Sequence, residues 1–333
     1  MLGDSSISGA TRVSSLPSVH EEHDLHFGLA TWNRHRLAPV LDAVDPEREL
    51  AQSLRMQRLE LRFVERERAF VAERAADAPT EPEAFVHWFE ALEHNGPGQY
   101  DALFPWLAER ASLEQMCWFL RQEMAGEAGF EDLVALTQVK LPVRAKLELA
   151  RNYWDEMGQG HRSGMHGPLL ERLGRSLALP PAEAEATVET LALGNLMIAL
   201  ATHRGYAFQS IGALGVIELT APGRAERVNA GLKRLGVTGE ARRYYALHAT
   251  LDRKHSAAWN REVLGSLVEE DPRRARAIAE GALMRLRAGA RCFERYRREL
   301  FAGSRGTASS SQYPSARSVS MPPVASVSPM SWR

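Results

Sequence analysis

The chain has 333 residues, of which 44% are hydrophobic and 25% are charged, and its formal net charge is −1. This near-neutral balance argues against a nucleic-acid or anionic-membrane partner. No apolar run is long enough to cross a membrane, and the N-terminus lacks the apolar segment of a secretory signal. Two distant cysteines, Cys117 and Cys292, lie in apolar helical contexts, so we expect buried free thiols and a cytoplasmic protein.

Three regions differ in composition. Residues 1–45 are rich in Ser, Gly, His and Pro and lack sustained periodicity, which predicts a mostly disordered segment that is dispensable for folding. Residues 303–333 form a Ser- and Pro-rich tail, for which we make the same prediction. Between them, residues 46–302 are dominated by Ala, Leu, Glu and Arg and lack β-branched runs, which predicts a helical domain.

Start and stop signals divide the first half of this domain into helices. Asp45-Pro46 predicts the start of a long helix that ends near Ala75, because proline suits the first helical turn. Ser112 predicts the cap of a later helix that runs through Glu127. A helix over residues 143–157 should end at the glycines of Gly158-Gln159-Gly160.

The second half contains a long apolar helix, expected to begin just after Pro180-Pro181. Gly205 predicts a break, and Ala221-Pro222-Gly223 predicts the end of the helix that comes after it. The last helix should run from Asp271-Pro272 to near Phe301. Because we find no internal repeat and no strand pattern, the predicted fold class is all-α, a bundle of helices in one domain.

The helix that begins after Thr238-Gly239 carries a set of metal-binding residue types. His248, Asp252 and His255 stand at relative positions 0, +4 and +7, so they fall within roughly 60° of one another on a helix surface. Two imidazoles and a carboxylate on one face suit iron, manganese or zinc. The alternative is that this face is an ordinary solvated surface.

Two acidic positions could complete such a site. Glu156 ends the predicted helix 143–157, where the helix dipole opposes negative charge, and His161 and His166 come shortly after it. Glu218 is the only charged residue between Arg204 and Arg224, in an apolar stretch, so it must be paired or bind a metal if it is buried. The alternatives are a solvated helix end for Glu156 and a buried salt bridge for Glu218.

Together these residues resemble the heme-oxygenase-like diiron oxidases and oxygenases, also called iron-containing redox enzymes, over roughly residues 110–300. The resemblance rests on the segments Asn152–Gly158 and Gly212–Glu218 and on the His-x3-Asp-x2-His triplet. It implies a heme-oxygenase-like helical bundle and six metal ligands, which are Glu156, His166, Glu218, His248, Asp252 and His255. His161 competes with His166 for its role.

The resemblance implies two ferrous ions as cofactors, with dioxygen as co-substrate. The substrate would be a small amine, amino acid or fatty-acid-like molecule, oxidised by N-oxygenation, desaturation or C–C cleavage. An external electron donor and a homodimer are compatible with it. Some members use one more carboxylate, for which Glu123 is the best candidate, with Glu127 and Glu131 behind it.

Two other classes of protein stay open at this point. One is a metal-free ligand-binding protein or cofactorless oxidase on the same helical scaffold. The other is a non-catalytic helical interaction protein whose His/Asp face is surface. Metal content and the absorption change on exposing the ferrous form to air distinguish both from a diiron enzyme.

Overall fold

The computed structural model describes residues 19–41, 45–180 and 185–303. Residues 1–18 and 304–333 lie outside the described residues, and with them part of the first segment predicted to be disordered and nearly all of the second. Within the described ranges the chain forms helices and no β-strand, so the all-α prediction is confirmed. None of these helices is both long and apolar enough to cross a membrane.

Fourteen α-helices succeed one another in the described parts of the chain. They are α1 Val19–Leu37, α2 Pro46–Ala76, α3 Pro82–Glu90, α4 Leu92–Asn95, α5 Leu103–Glu109, α6 Leu113–Gly126, α7 Phe130–Thr137, α8 Val143–Glu156, α9 His166–Ser176, α10 Val188–Thr202, α11 Ala207–Arg234, α12 Arg243–Ala258, α13 Ser266–Glu270 and α14 Arg274–Gly303. A π-helical segment, Trp259–Gly265, connects α12 to α13.

Local capping explains several helix starts. The side chain of Asp45 accepts hydrogen bonds from the backbone N–H groups of Glu47 and Arg48, which confirms the start predicted at Asp45-Pro46. Ser112 and Gln115 form a reciprocal capping box at the start of α6. A short 3-10 turn, Arg204–Tyr206, separates α10 from α11, as predicted for a break at Gly205. These caps and this break depend on residues that are close neighbours in the chain, so they can be predicted from the sequence alone.

Helix α11 lies at the centre of the bundle and packs against α14, α12 and α5. Helices α11 and α14 approach each other closely because each has a glycine at the contact. A Cβ added to Gly212 would collide with the carbonyl oxygen of Ile278, and one added to Gly281 would collide with that of Gln209. This close contact makes α11 and α14 the rigid pair against which α12 is positioned.

Helix α1 corrects the prediction of disorder over residues 1–45. It packs against α10 and buries Leu29 and Trp32. Asn195 of α10 donates a hydrogen bond from Nδ2 to the backbone carbonyl of His26 at 2.9 Å. The sequence of α1 mixes its few apolar residues with His and charged residues, so the contacts that order it come from a distant helix rather than from its own periodicity.

Helix α11 also corrects the stop predicted at Ala221-Pro222-Gly223, because it continues through Pro222 to Arg234. A proline has no N–H to donate to the carbonyl four residues earlier, which here belongs to Glu218, and it usually ends or kinks a helix. The turns beyond it are held by burial, since Ala225, Val228 and Leu232 are all in the core. Tertiary packing therefore overrides the local signal.

The start predicted just after Pro180-Pro181 was also too early, since α10 begins at Val188 and residues 181–184 lie outside the described residues.

Candidate metal centre

A glycine turn brings Glu156 and His166 together. Glu156 is the last residue of α8 and His166 the first of α9. Gly158, Gln159 and Gly160, which lie between them, have φ values of 62°, 54° and 84°. Such left-handed values favour glycine, and a Cβ on Gly158 would also collide with the backbone of Gly164. The turn leaves Nδ1 of His166 at 2.5 Å from Oε2 of Glu156, with both side chains buried.

Glu218 and His255 meet Glu156 from two other helices. Glu218 lies on α11 and His255 on α12, and Nδ1 of His255 is 3.6 Å from Oε2 of Glu218. One ligand-type atom from each of Glu156, Glu218 and His255 lies within 4.8 Å of the others, and all three residues are buried. Two carboxylates and an imidazole converging in a low-dielectric interior form a donor set that a divalent cation would stabilise.

His248 extends this group toward α9. Its ring centroid is 4.6 Å from that of His166 and 4.4 Å from that of Tyr244. The structure therefore brings five of the six predicted residues together. Asp252 belongs to α12, but its side chain lies outside the described residues. His161, the competitor of His166, is exposed to solvent, so His166 is the histidine that accompanies Glu156.

Two supporting residues were missed by the sequence analysis. Asn152 donates a hydrogen bond from Nδ2 to Oε1 of Glu218 at 2.6 Å. Asp155 accepts one on Oδ2 from Nε2 of His255 at 3.1 Å, an orientation that leaves Nδ1 of this imidazole facing Glu218. A carboxylate behind a histidine is the usual outer partner of a metal ligand, because it fixes the tautomer and the ring. One available signal was that Asn152 stands one turn before Glu156 on the same helix face.

A cavity of about 180 Å³ adjoins the group, and Glu156, Glu218 and His248 are part of its wall. Much of the rest of the wall is apolar. Burial, and after it the negative charge of Glu127, raises the pKa of Tyr244 well above its usual value, so this phenol keeps its proton at neutral pH. Three of the candidate ligands therefore face a partly open, largely apolar space of the size of a small organic molecule.

The π-helical segment Trp259–Gly265 begins four residues after His255. Segments of this kind are rare and recur at functional sites. The Trp259 side chain is buried against α11, where a Cβ on Gly215 would come within 2.5 Å of its indole nitrogen. This contact fixes the distance between the helix of Glu218 and the end of the helix of His255.

The sequence pattern of the iron-containing redox enzyme family matches residues 117–290, just over half of the chain. The chain belongs to this family. The matched residues include every candidate ligand and both supporting residues, and the family description agrees with the resemblance found in the sequence. No curated protein matches the chain.

Two solved structures share the fold of this family member. Both are crystal structures of a CADD-like protein of unknown function from Nostoc punctiforme PCC 73102. One has a TM-score of 0.51 at 18% identity and covers 64% of this chain and 96% of its own chain. The other has a TM-score of 0.50 at 16% identity and covers 65% of this chain and 94% of its own. At these identities the likeness shows the heme-oxygenase-like helical fold and nothing about a substrate.

The residues present fit the iron that the family description names. Their donors are carboxylate oxygens and imidazole nitrogens, which suit ferrous iron. Glu156, His166, Glu218 and His255 are buried, and Asn152 and Asp155 hold Glu218 and His255 from behind. Glu123 lines the same cavity, but it lies outside the group of Glu156, Glu218 and His255 found in the described part of the chain. The charges that act most strongly on Glu123 are those of two arginines, Arg224 and Arg285. Glu127 is exposed, and its carboxylate accepts a hydrogen bond from the backbone just before the start of α7.

Proposed function

We propose that this member of the iron-containing redox enzyme family is a non-heme diiron oxidase or oxygenase that uses dioxygen to oxidise a small organic molecule. The observation that carries the proposal is the convergence of Glu156, Glu218 and His255 within 4.8 Å beside a largely apolar cavity. Glu156, His166, Glu218, His248, Asp252 and His255 would hold two ferrous ions. When bound, iron supplies the reducing power that activates dioxygen.

The chain's own residues would prepare the site in three ways. The carboxylates of Glu156 and Glu218 offset the charge of the cations, and Asn152 holds one oxygen of Glu218 so that the other faces the site. Asp155 accepts a hydrogen bond from Nε2–H of His255, and in this neutral tautomer Nδ1 carries a lone pair for a cation. The largely apolar cavity wall lowers the local dielectric constant, which strengthens each of these electrostatic interactions.

N-oxygenation, desaturation and oxidative C–C cleavage are the reaction types that we propose for this site. An external electron donor and assembly as a homodimer belong to the same proposal, as does function in the cytoplasm. Of these proposals, the oxidation of a small organic substrate has the most direct structural support, because Glu156, Glu218 and His248 border a cavity.

Anaerobic titration of the metal-free, full-length protein with ferrous iron tests the proposal. We expect two equivalents to bind and an absorption change to occur on exposure to air. Glu218→Gln keeps the size of the side chain and removes its charge, so it should lose iron at one position or both. Glu226→Gln is the matched control, because Glu226 lies on the same helix and is 68% exposed. Asp252→Asn should behave like Glu218→Gln.

Absence of iron binding by the wild type would overturn the proposal and favour a metal-free protein on this fold. Equal iron binding by the wild type and Glu218→Gln would remove Glu218 from the site. Circular dichroism of each variant verifies that the helical fold persists.

A further inference from the structure

The cavity continues beyond the candidate metal centre, along one face of α11. Glu218, Ala221, Arg224, Ala225 and Val228 all border it, and because each lies three or four residues from another they form one helical stripe. Arg224 is six positions after Glu218, so the two are about 9 Å apart along the helix axis. The cavity therefore has a metal end at Glu218 and a second, cationic end at Arg224.

Arg224 is a charged group in apolar surroundings. Its guanidinium lies 5.4 Å from the ring centroid of Phe293 and 5.9 Å from that of Phe104. Burial, and after it the positive charge of Arg285, lowers the pKa of Arg224 to about 9, which still leaves it charged at neutral pH. Its one hydrogen bond to a described side chain goes from Nη2 to Oγ1 of Thr220 at 2.5 Å. Four of its five N–H donors are thus left for another partner.

Arg285 reaches the same end of the cavity from α14. Its Nε is buried and has no hydrogen-bond acceptor among the described residues. No described carboxylate lies within ion-pair distance of either Arg285 or Arg224, whereas most arginines of α14 pair with an acidic residue. Both side chains are partly buried, Arg224 has one described acceptor, and Nε of Arg285 has none. Guanidinium donors without acceptors are costly in such surroundings, so this end of the cavity indicates a place for an anion.

Glu123 limits the charge that this anion should carry. It borders the cavity close enough to Arg224 and Arg285 for their charges to act on it, although burial outweighs them and raises its pKa to about 7. Two guanidiniums and an ionised Glu123 carry a formal charge of +1, and the exposed Glu127, which also borders the cavity, can only reduce it. A group with a single negative charge balances it, and a planar carboxylate also matches the fork of a guanidinium.

The wall between the two ends is suited to a hydrocarbon body. It consists largely of apolar side chains from several helices, which include Leu133, Leu170, Leu193, Met197 and Ile217. A second anionic group on the ligand would find no further described arginine or lysine along this wall. The ligand should therefore be amphiphilic, with one anionic end.

We propose that Arg224 and Arg285 form the headgroup subsite for an organic monocarboxylate whose apolar body extends along the cavity toward Glu218. The orientation rests on the proposed function, because it places the far end of the hydrocarbon body beside the candidate metal centre. Arg224 and Arg285 are then specificity-determining residues, and they bind the end of the substrate that does not react.

Isothermal titration calorimetry of the metal-free, full-length protein tests the subsite without any turnover. The probes are octanoate, decanoate, dodecanoate and phenylbutyrate, with decanol and decylamine as uncharged and cationic comparisons. We expect at least one carboxylate to bind and decanol to bind at least about tenfold more weakly. Arg224→Gln/Arg285→Gln should weaken carboxylate binding by at least about a hundredfold.

Two further variants complete the test. Arg227→Gln/Arg298→Gln removes two exposed arginines from the same helices and should bind the carboxylate like the wild type. Glu123→Gln removes the competing carboxylate and should tighten binding at neutral pH. If the double glutamine variant does not fold, Arg224→Lys/Arg285→Lys keeps the charges, loses the planar fork and should still weaken binding measurably.

The subsite is overturned if none of the four carboxylates binds to the wild type, if decanol binds as tightly as decanoate, or if a folded arginine variant binds like the wild type. These outcomes are separable from failure of the metal site, because ferrous iron is titrated into the same preparations. Two equivalents of iron with no carboxylate binding would refute the subsite alone. Carboxylate binding without iron binding would refute the proposed function and leave a carboxylate-binding cavity.

Discussion

We predict that Glu123 makes the stability of the metal-free protein depend on pH. Burial raises the pKa of this carboxyl from 4.5 to about 7. The folded protein therefore keeps a proton that the unfolded chain releases in this interval, so the stabilising contribution is complete below about pH 4.5 and is lost as the pH rises to about 7. At about 1.4 kcal/mol for each pH unit, the loss amounts to about 3 kcal/mol.

Glu123→Gln should remove this dependence, because a neutral amide has no proton to lose. The difference in free energy of unfolding between variant and wild type should shift by about 3 kcal/mol in favour of the variant between about pH 4.5 and about pH 8. Urea denaturation monitored by circular dichroism measures it. Glu114→Gln, which changes an exposed glutamate of the same helix, should leave the pH profile unchanged. Parallel profiles for wild type and Glu123→Gln would refute the reasoning.

Three other substitutions test the fold and the site. Leu29→Ala in α1 should lower the free energy of unfolding by about 2–5 kcal/mol, and no change would restore the idea that this segment is dispensable. Gly212→Ala should cost at least about 1–3 kcal/mol because its methyl group meets the carbonyl oxygen of Ile278, whereas Gly205→Ala, with open space around it, should not show that loss in a thermal melt. Asp155→Asn should weaken ferrous iron binding about 10–100-fold in an anaerobic titration with the fold retained, and unchanged affinity would exclude the supporting role.

The parts of the fold that could be predicted are those fixed by neighbours in the sequence. Asp45 and Ser112 cap helices through backbone groups two or three residues away, so the residue types alone reveal them. The parts that could not be predicted depend on distant partners. The Nδ2 of Asn33 in α1 donates to Asn195, 162 residues further along the chain, at 3.0 Å. Pro222 stays helical because buried turns on both sides hold it in place.

The candidate site divides in the same way. The helical spacing of His248 and His255 and the isolated charge of Glu218 were visible in the sequence, and the structure brings these residues into one group. The hydrogen bond from His255 to Asp155 spans 100 residues, so no local pattern announces it. The metal-binding role of Asp252 stays a prediction.

The π-helical segment Trp259–Gly265 determines the angle by which α13 is rotated relative to α12, and no single side chain determines this angle. Its backbone hydrogen bonds span five residues instead of the four of an α-helix, so each of its turns contains more residues. Each residue added to a helix rotates the remainder of that helix by about 100°. Removing one residue here would restore α-helical geometry and turn either His255 away from Glu218 or Leu267 away from the core. The number of residues in this segment, more than their identity, therefore lets one continuous helix place His255 beside Glu218 and Leu267 in the core.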